Sequence, residues 1–491
     1  MKRIYNTIRL ALAVSVLTVN FSCNDATEIV QVGELGVLQA FQSVDDIRSG
    51  LSAAYNRYGP DAGGNDAGVD YVYFNDIFTD NIKRGIDNAG QASLTYNFIL
   101  QPGSTTPGVI WTSRYRVITQ INIVLDAIER LEFTEAEMLE INHIKGQLYA
   151  LRALSHFDLF TYYTTDYQDP SALSAINIDF VTEPTSVAPR NTAAETIAFI
   201  QNDLDLADSF LDPNNSDSAN NIFLNNDAVK AIRARLAIMT GDVSTAMTLS
   251  TQLVNDYPLA NPTQYFNMFN DADDTEVIFK LSRVAGDRQV AGLYYFNLVA
   301  PDGGAYIELG NGLLNQLDTN DIRFAVNVNA QSVINGVNDP TNLLLINKYP
   351  GSADGPLIND IKLFRASEML LIRAEAQARS GMLTEAAQSI QDLRTARFLG
   401  APPAMPVFGS LNDALNEILA ERRVELCFEG HRYIDIKRIG SEIGVGIQRE
   451  TVDCESFSAP CSLPAGDFRL TLPIPTSEFE GNTLVEQNAG Y

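Results

Sequence analysis

Over most of this chain apolar residues recur at three- and four-residue spacing, the pattern of helices that bury one face. Ile47, Leu51, Ala54, Tyr55 and Tyr58 form one such face, opened by Ser43-x-x-Asp46 and ended by Gly59-Pro60. Trp111, Tyr115, Ile118, Ile121, Leu125 and Ile128 predict a long helix over about 108–131. Thr134-x-x-Glu137 and Thr192-x-x-Glu195 have the spacing of capping boxes, in which hydroxyl and carboxylate each satisfy a free backbone N–H. Behind them run Met138, Ile141, Ile144, Leu148 and Leu151, then Ile197, Ile200, Leu204, Ala207 and Leu211.

The helical pattern repeats. Ile232-Arg233-Ala234, Gly241 and Ala246 recur as Ile372-Arg373-Ala374, Gly381 and Ala386, and Leu151-Arg152-Ala153 echoes the opening of the unit. A small residue where two helices cross, a glycine ending the first and an alanine facing back from the second resemble a tetratricopeptide repeat. The segments between are of another kind. They are Gly/Asn-rich at 59–68 and 85–91, polar at 212–221, alternating at 276–281 and Gly/Asp-rich at 301–304. The expected fold is mainly α, a tetratricopeptide-like scaffold carrying long irregular insertions on the binding side. No Pro/Ser-rich linker divides residues 41–491, which read as a single domain.

The N-terminus has its own logic. Lys2, Arg3 and Arg9 accompany an apolar run that ends at Ser22-Cys23, the layout of a secretory leader too short to span a bilayer. A cysteine at the cleavage point suggests a bacterial lipoprotein: residues 1–22 are removed, Cys23 is acylated, and 23–40 form a tether. An ordinary secreted protein is the alternative. The net charge of −27, without a basic cluster, argues against nucleic acid and against bulk attraction to acidic lipid, so the membrane is reached through the lipid alone.

Cys454 and Cys461 lie in a Ser/Pro/Asp-containing loop and are expected to form a disulfide, worth roughly 2–3 kcal/mol by loop-closure entropy. Cys427, on an apolar helical face, reads as a buried free thiol. The only histidines, His143, His156 and His431, lack metal-ligand spacing, and no nucleophile elbow or phosphate-binding loop occurs. Asp271, Asp273, Asp274 and Glu276 resemble the start of a calcium loop without its later glycine and glutamate. No metal, cofactor or catalytic residue is expected, and a structural calcium is left open. The densest constellation, Glu421 to Arg438 (ERRVELCFEGHRYIDIKR), reads as an internal ion-pair network.

That run, with Trp111-x3-Tyr115-x2-Ile118-x3-Asn122, Leu151-Arg152-Ala153…Phe157-Asp158-Leu159 and the ending Leu472-Pro473-Ile474-Pro475…Asn488-Ala489-Gly490-Tyr491, resembles the SusD/RagB family of outer-membrane nutrient-binding lipoproteins. The anchors span about 111–491, with Ala489 where the family has proline, and Asp25 and Glu28 loosely match its acidic export tag. The resemblance implies about four helix pairs and a non-enzymatic protein on the outer face of the outer membrane. It also implies a SusC-like TonB-dependent transporter as partner and an oligosaccharide, or in some relatives a peptide, as ligand. A surface-anchored glycoside hydrolase or lyase is the reading from another class.

By the same resemblance the ligand meets the insertions at about 83–91 and 293–308. Tyr294, Tyr295 and Tyr306 would offer flat faces, with Arg84, Asn88 and Gln91 bonding hydroxyls. Tyr294 and Phe296 also fit the buried face of a strand, and that alternative stays open. Many glycan-binding relatives use several tryptophans, whereas this chain has only Trp111, which the motif makes structural.

Overall fold

The Ser43 hydroxyl accepts the Asp46 amide and starts α1 (Val44–Tyr58), which closes as its spacing predicts, at Gly59. The computed structural model describes residues 40–59, 67–183, 185–287, 289–290, 294, 305–455 and 458–491. Its other long helices are α2 (Ala67–Ile77), α3 (Thr105–Arg130), α4 (Glu135–Tyr163), α5 (Ala193–Phe210), α6 (Asn226–Thr240), α7 (Val243–Asp256), α8 (Ala366–Arg379), α9 (Leu383–Arg397) and α10 (Leu411–Leu426). The fold is mainly helical. Both capping boxes form, Thr134 with Glu137 and Thr192 with Glu195, each hydroxyl and carboxylate satisfying the other's backbone N–H.

The helices stack in order. α1 packs on α3, α3 on α4, α4 on α5, α5 on α6, α6 on α7, α7 on α8, and α8 on both α9 and α10. The two Ile-Arg-Ala hairpins are therefore neighbours in space although a long insertion separates them in sequence. Ala234, Ala246, Ala374 and Ala386 are fully buried where these helices cross, and any larger side chain there would force the axes apart. Gly241 and Gly381 end α6 and α8 in left-handed conformation, φ +83° and +79°, which a β-carbon disfavours.

The insertion between α7 and α8 leaves and returns through one stem. Strand β2 (Val277–Leu281) pairs antiparallel with β4 (Ile361–Arg365), and β4 runs directly into α8. The alternation at 276–281 does give a strand, but one buried on both faces. Lys280, on its second face, is held by Asp274 and Asp360 at 2.7 and 2.9 Å. The other acids of that turn are also engaged: Asp271 binds Lys362 and Glu276 binds Arg397.

The 421–438 run is where insertions and scaffold meet. Glu425, on α10, accepts from Arg365 at the end of β4 (2.5 Å), Arg397 at the end of α9 (2.9 Å) and Arg323 (3.3 Å). Arg365 also forks onto Glu429 at 2.8 Å, and Lys348 reaches Glu429 at 2.9 Å. Burial alone would raise the Glu425 carboxyl; Arg397, Arg365 and Arg323 overcome it and hold the group well below the usual carboxylate range. Glu421 pairs with Arg323 (2.6 Å) and Arg394 (2.8 Å). Cys427 is a buried free thiol whose pKa burial pushes up to about 12.

Replacing Glu425 by Ala removes the one carboxylate that three buried guanidinium groups share. Denaturant unfolding of Glu425→Ala is expected to show a loss of about 3 to 5 kcal/mol. A loss below about 1 kcal/mol would show that the network does not hold the fold.

Candidate ligand-binding face

The two insertion segments singled out by sequence lie side by side. Strand β1 (Ile82–Arg84) pairs antiparallel with β3 (Ile307–Leu309), in the register Ile82↔Leu309, Lys83↔Glu308, Arg84↔Ile307. Beyond the strands the contact continues through the Gly85 amide to the Tyr306 carbonyl (3.0 Å) and the Asp87 amide to the Ala305 carbonyl (3.3 Å). Glycine is required at 85, because a β-carbon there would stand 1.9 Å from the Ala305 carbonyl oxygen.

Charges buried under the pair hold it in place. Glu308 accepts from Lys83 (3.1 Å), the Ile86 amide (3.2 Å) and the Leu344 amide (2.9 Å). Lys83 also donates to the Asn342 carbonyl, and the Asn342 side chain donates to Asn311 at 2.8 Å. Asn311 in turn donates its amide and its side chain to the two oxygens of Asp453, at 2.8 and 2.6 Å. Asp453 sits beside Cys454, which is bonded to Cys461 across a Cα–Cα distance of 5.3 Å. The disulfide thus fixes the turn on which this polar chain ends.

The root of the first insertion is clamped as firmly. Asp80 takes both arms of Arg432 at 2.8 and 2.9 Å, and Arg423 donates to the Asn81 side chain at 2.9 Å. Arg449 lies between the rings of Tyr96 (3.9 Å) and Phe98 (4.2 Å) and donates to the carbonyls of Thr79, Tyr96 and Pro460. Sequence reasoning missed Arg449, Lys83, Glu308 and Asp453. Each looks like an ordinary loop charge until the fold supplies its partners.

Of the candidate ligand residues, Arg84 and Tyr306 are half-buried at the strand pair, and the Arg84 guanidinium donates to the Ser93 hydroxyl. Asn88 donates to the carbonyls of Tyr306 (2.9 Å) and Gln91 (3.1 Å), and Gln91 accepts the Ala89 amide at 2.7 Å. These amides brace the loop. Tyr294 corrects the expectation: it is 1% exposed, edge-on to Tyr73 (4.8 Å) and Phe428 (5.5 Å), and cannot face a ligand. The apolar cage of the core outbids the surface for that ring, so the alternative was right about burial, although Tyr294 lies in a turn and not in a strand. Tyr295 and Cys23 lie outside the described residues.

Near Tyr294, Asp76 is fully buried, its Oδ1 accepting from Asn81 (2.7 Å) and the Phe428 amide (3.2 Å), while Oδ2 has no partner. Burial pushes its pKa up to about 7. The folded state therefore binds a proton that the unfolded chain has already released above pH 4, and this group costs stability as pH rises from 4 to 7. Asp76→Asn keeps an acceptor for Asn81 and Phe428. Thermal melts are expected to match wild type at pH 5 and to exceed it by a few degrees at pH 8; a variant equal or lower at pH 8 would contradict a buried, proton-hungry carboxyl.

Two family models match the chain: one described as the SusD family over residues 338–491, and one described as starch-binding associating with the outer membrane over 47–238. A SusD-like protein of Formosa agariphila is 24% identical, covering 90% of this chain and 93% of its own. A SusD-like carbohydrate binding protein of Bacteroides vulgatus superposes with a TM-score of 0.75 at 23% identity, covering 91% and 98%. A laminarin binding SusD-like protein superposes with a TM-score of 0.68 at 20% identity, covering 92% and 100%.

Proposed function

We infer the function from the family: the chain belongs to the SusD/RagB family, whose members bind carbohydrate and are associated with the outer membrane. From that premise we propose that it is a non-enzymatic surface lipoprotein, anchored through Cys23, that captures an oligosaccharide and delivers it to a SusC-like TonB-dependent transporter. The observation that carries the capture step is the β1–β3 pair, which joins two insertions into one braced surface with Arg84 and Tyr306 at its edge. A surface fixed before binding spends little of the contact energy on ordering loops. The laminarin-binding relative makes a β-glucan the first ligand to try.

A peptide ligand is the second reading, and one feature favours it. Among the described residues, the large apolar side chains exposed around this surface are aliphatic, Ile86 at 77%, Leu94 and Ile99, which suit a peptide side chain better than a sugar ring.

Calorimetry with laminarihexaose, maltohexaose and a mixed tripeptide pool separates the two. Arg84→Ala combined with Tyr306→Ala is expected to weaken oligosaccharide binding at least tenfold with little change in melting. Tyr294→Ala, in contrast, should cost about 3 kcal/mol of stability, as for other buried aromatics. Tight peptide binding without sugar binding would overturn the glycan reading, and release of reducing ends would overturn the non-enzymatic one. The anchor is checked by palmitate labelling, which Cys23→Ala should abolish together with membrane association; a labelled variant would refute it.

A further inference from the structure

The scaffold carries a hollow of ligand size that shares no lining residue with the insertion face. A cleft of about 540 Å3 opens between the loop following α4, the turn Ile436–Gly440 and the C-terminal segment. That volume is in the range of small-ligand sites. The turn is π-helical, with the Ser441 amide reaching the Ile436 carbonyl, a rare geometry found often at functional sites.

Lys437, on this turn, lines the cleft although it is only 8% exposed. Its ammonium donates to the carbonyls of Thr161 (3.3 Å) and Thr164 (2.6 Å) at the C-terminal end of α4, and lies 4.4 Å above the Tyr167 ring. No carboxylate among the described residues pairs with it. An ammonium has three donors, so one remains for whatever enters the cleft.

The rest of the lining supplies acceptors and a flat apolar face. Glu442 is paired with Arg379 (2.7 Å) and Asp467 with Arg469 (2.8 Å), while Asp166 spends Oδ1 on the amides of Gln168 and Asp169. The Phe468 ring is 45% exposed. Arg438 lines the cleft as well and two of its three carboxylates are ion-paired, so their oxygens serve as acceptors for hydroxyl donors while the chain's net charge of −27 disfavours an anion.

We propose that this cleft is a second saccharide site, on the scaffold side, for a neutral hydroxyl-rich ring. Lys437 donates to a ring oxygen, Asp166 and Gln168 bracket neighbouring hydroxyls, and Phe468 covers the apolar face of the sugar. The proposal rests on the glycan reading for its ligand class only. Its site is independent of the insertion face.

The test titrates laminarihexaose and maltohexaose, with glucuronate as charged control, into wild type, the Arg84→Ala/Tyr306→Ala variant and a Gln168→Ala/Phe468→Ala variant. The insertion-face variant is expected to keep one weak site for the neutral sugars, and the cleft variant to lose that site by roughly tenfold or more. Loss of all sugar binding in the insertion-face variant alone would overturn the second site and leave the first reading intact. Glucuronate binding in the cleft as well as the neutral sugars would also overturn it. No sugar bound by wild type would sink both readings, and cleft binding alone would sink only the insertion-face site. Should the cleft variant unfold, wild-type crystals soaked in the oligosaccharide decide: sugar density against Phe468 and Lys437 supports the proposal, and an empty cleft refutes it.

Discussion

Glu425 is a carboxylate with no access to water, and its burial makes sense only in the company of three guanidinium groups that come from far away in sequence. A lone charge in that position would cost several kcal/mol, more than most single contacts contribute. Arg323 comes from the long insertion, Arg365 from its returning strand and Arg397 from the end of α9. Each also meets a second carboxylate, Arg323 at Glu421, Arg365 at Glu429 and Arg397 at Glu276, so shared ion pairs tie the last repeat helices to the insertion stem. The network acts less as glue than as a condition: a fold with the stem misplaced would leave buried charge unpaired.

The same run governs the other insertion. Arg423 and Arg432 take Asp80 and Asn81 just before β1, and β1 in turn carries β3. A segment of scaffold therefore sets the position of both insertions, one through Arg365 and one through Asp80. Loops that bind ligands are ordinarily the mobile part of a protein. Here their roots are ion-paired to a helix, and further out they are tied by Glu308, Arg449 and the turn held by the Cys454–Cys461 bond.

What the sequence revealed followed the range of the interaction. Helix ends at Ser43, Thr134 and Thr192 depend on residues three positions apart and were readable, as were the glycines that end α6 and α8. The matching hairpins were visible, although their direct packing through α7 and α8 was not, since nothing local says that an insertion returns to its starting point. The 421–438 run was legible as an ion-pair network, but most of its partners lie outside it. Arg449 and Arg190 left no signal at all. Both are buried against backbone carbonyls, which every residue possesses, so no complementary acid marks them. Tyr294 failed for a related reason: a tyrosine in a turn reads as exposed until the fold brings Tyr73 and Phe428 against it.

If a ligand meets the proposed face, the polar groups of the 83–91 loop would set a last constraint on how it could be held. Asn88 spends its side-chain donor on the carbonyls of Tyr306 and Gln91, and Gln91 accepts the Ala89 amide. A ligand hydroxyl accepting from the Asn88 side chain would have to exchange bonds and not simply add them, and an exchange of similar hydrogen bonds returns little free energy. Net attraction then has to come from area covered, against Tyr306, the aliphatic part of Arg84 and the neighbouring Ile86. Displacing Asn88 would still leave the Tyr306 carbonyl its bond from the Gly85 amide, so the loss would fall mainly on the half-buried contact to the Gln91 carbonyl.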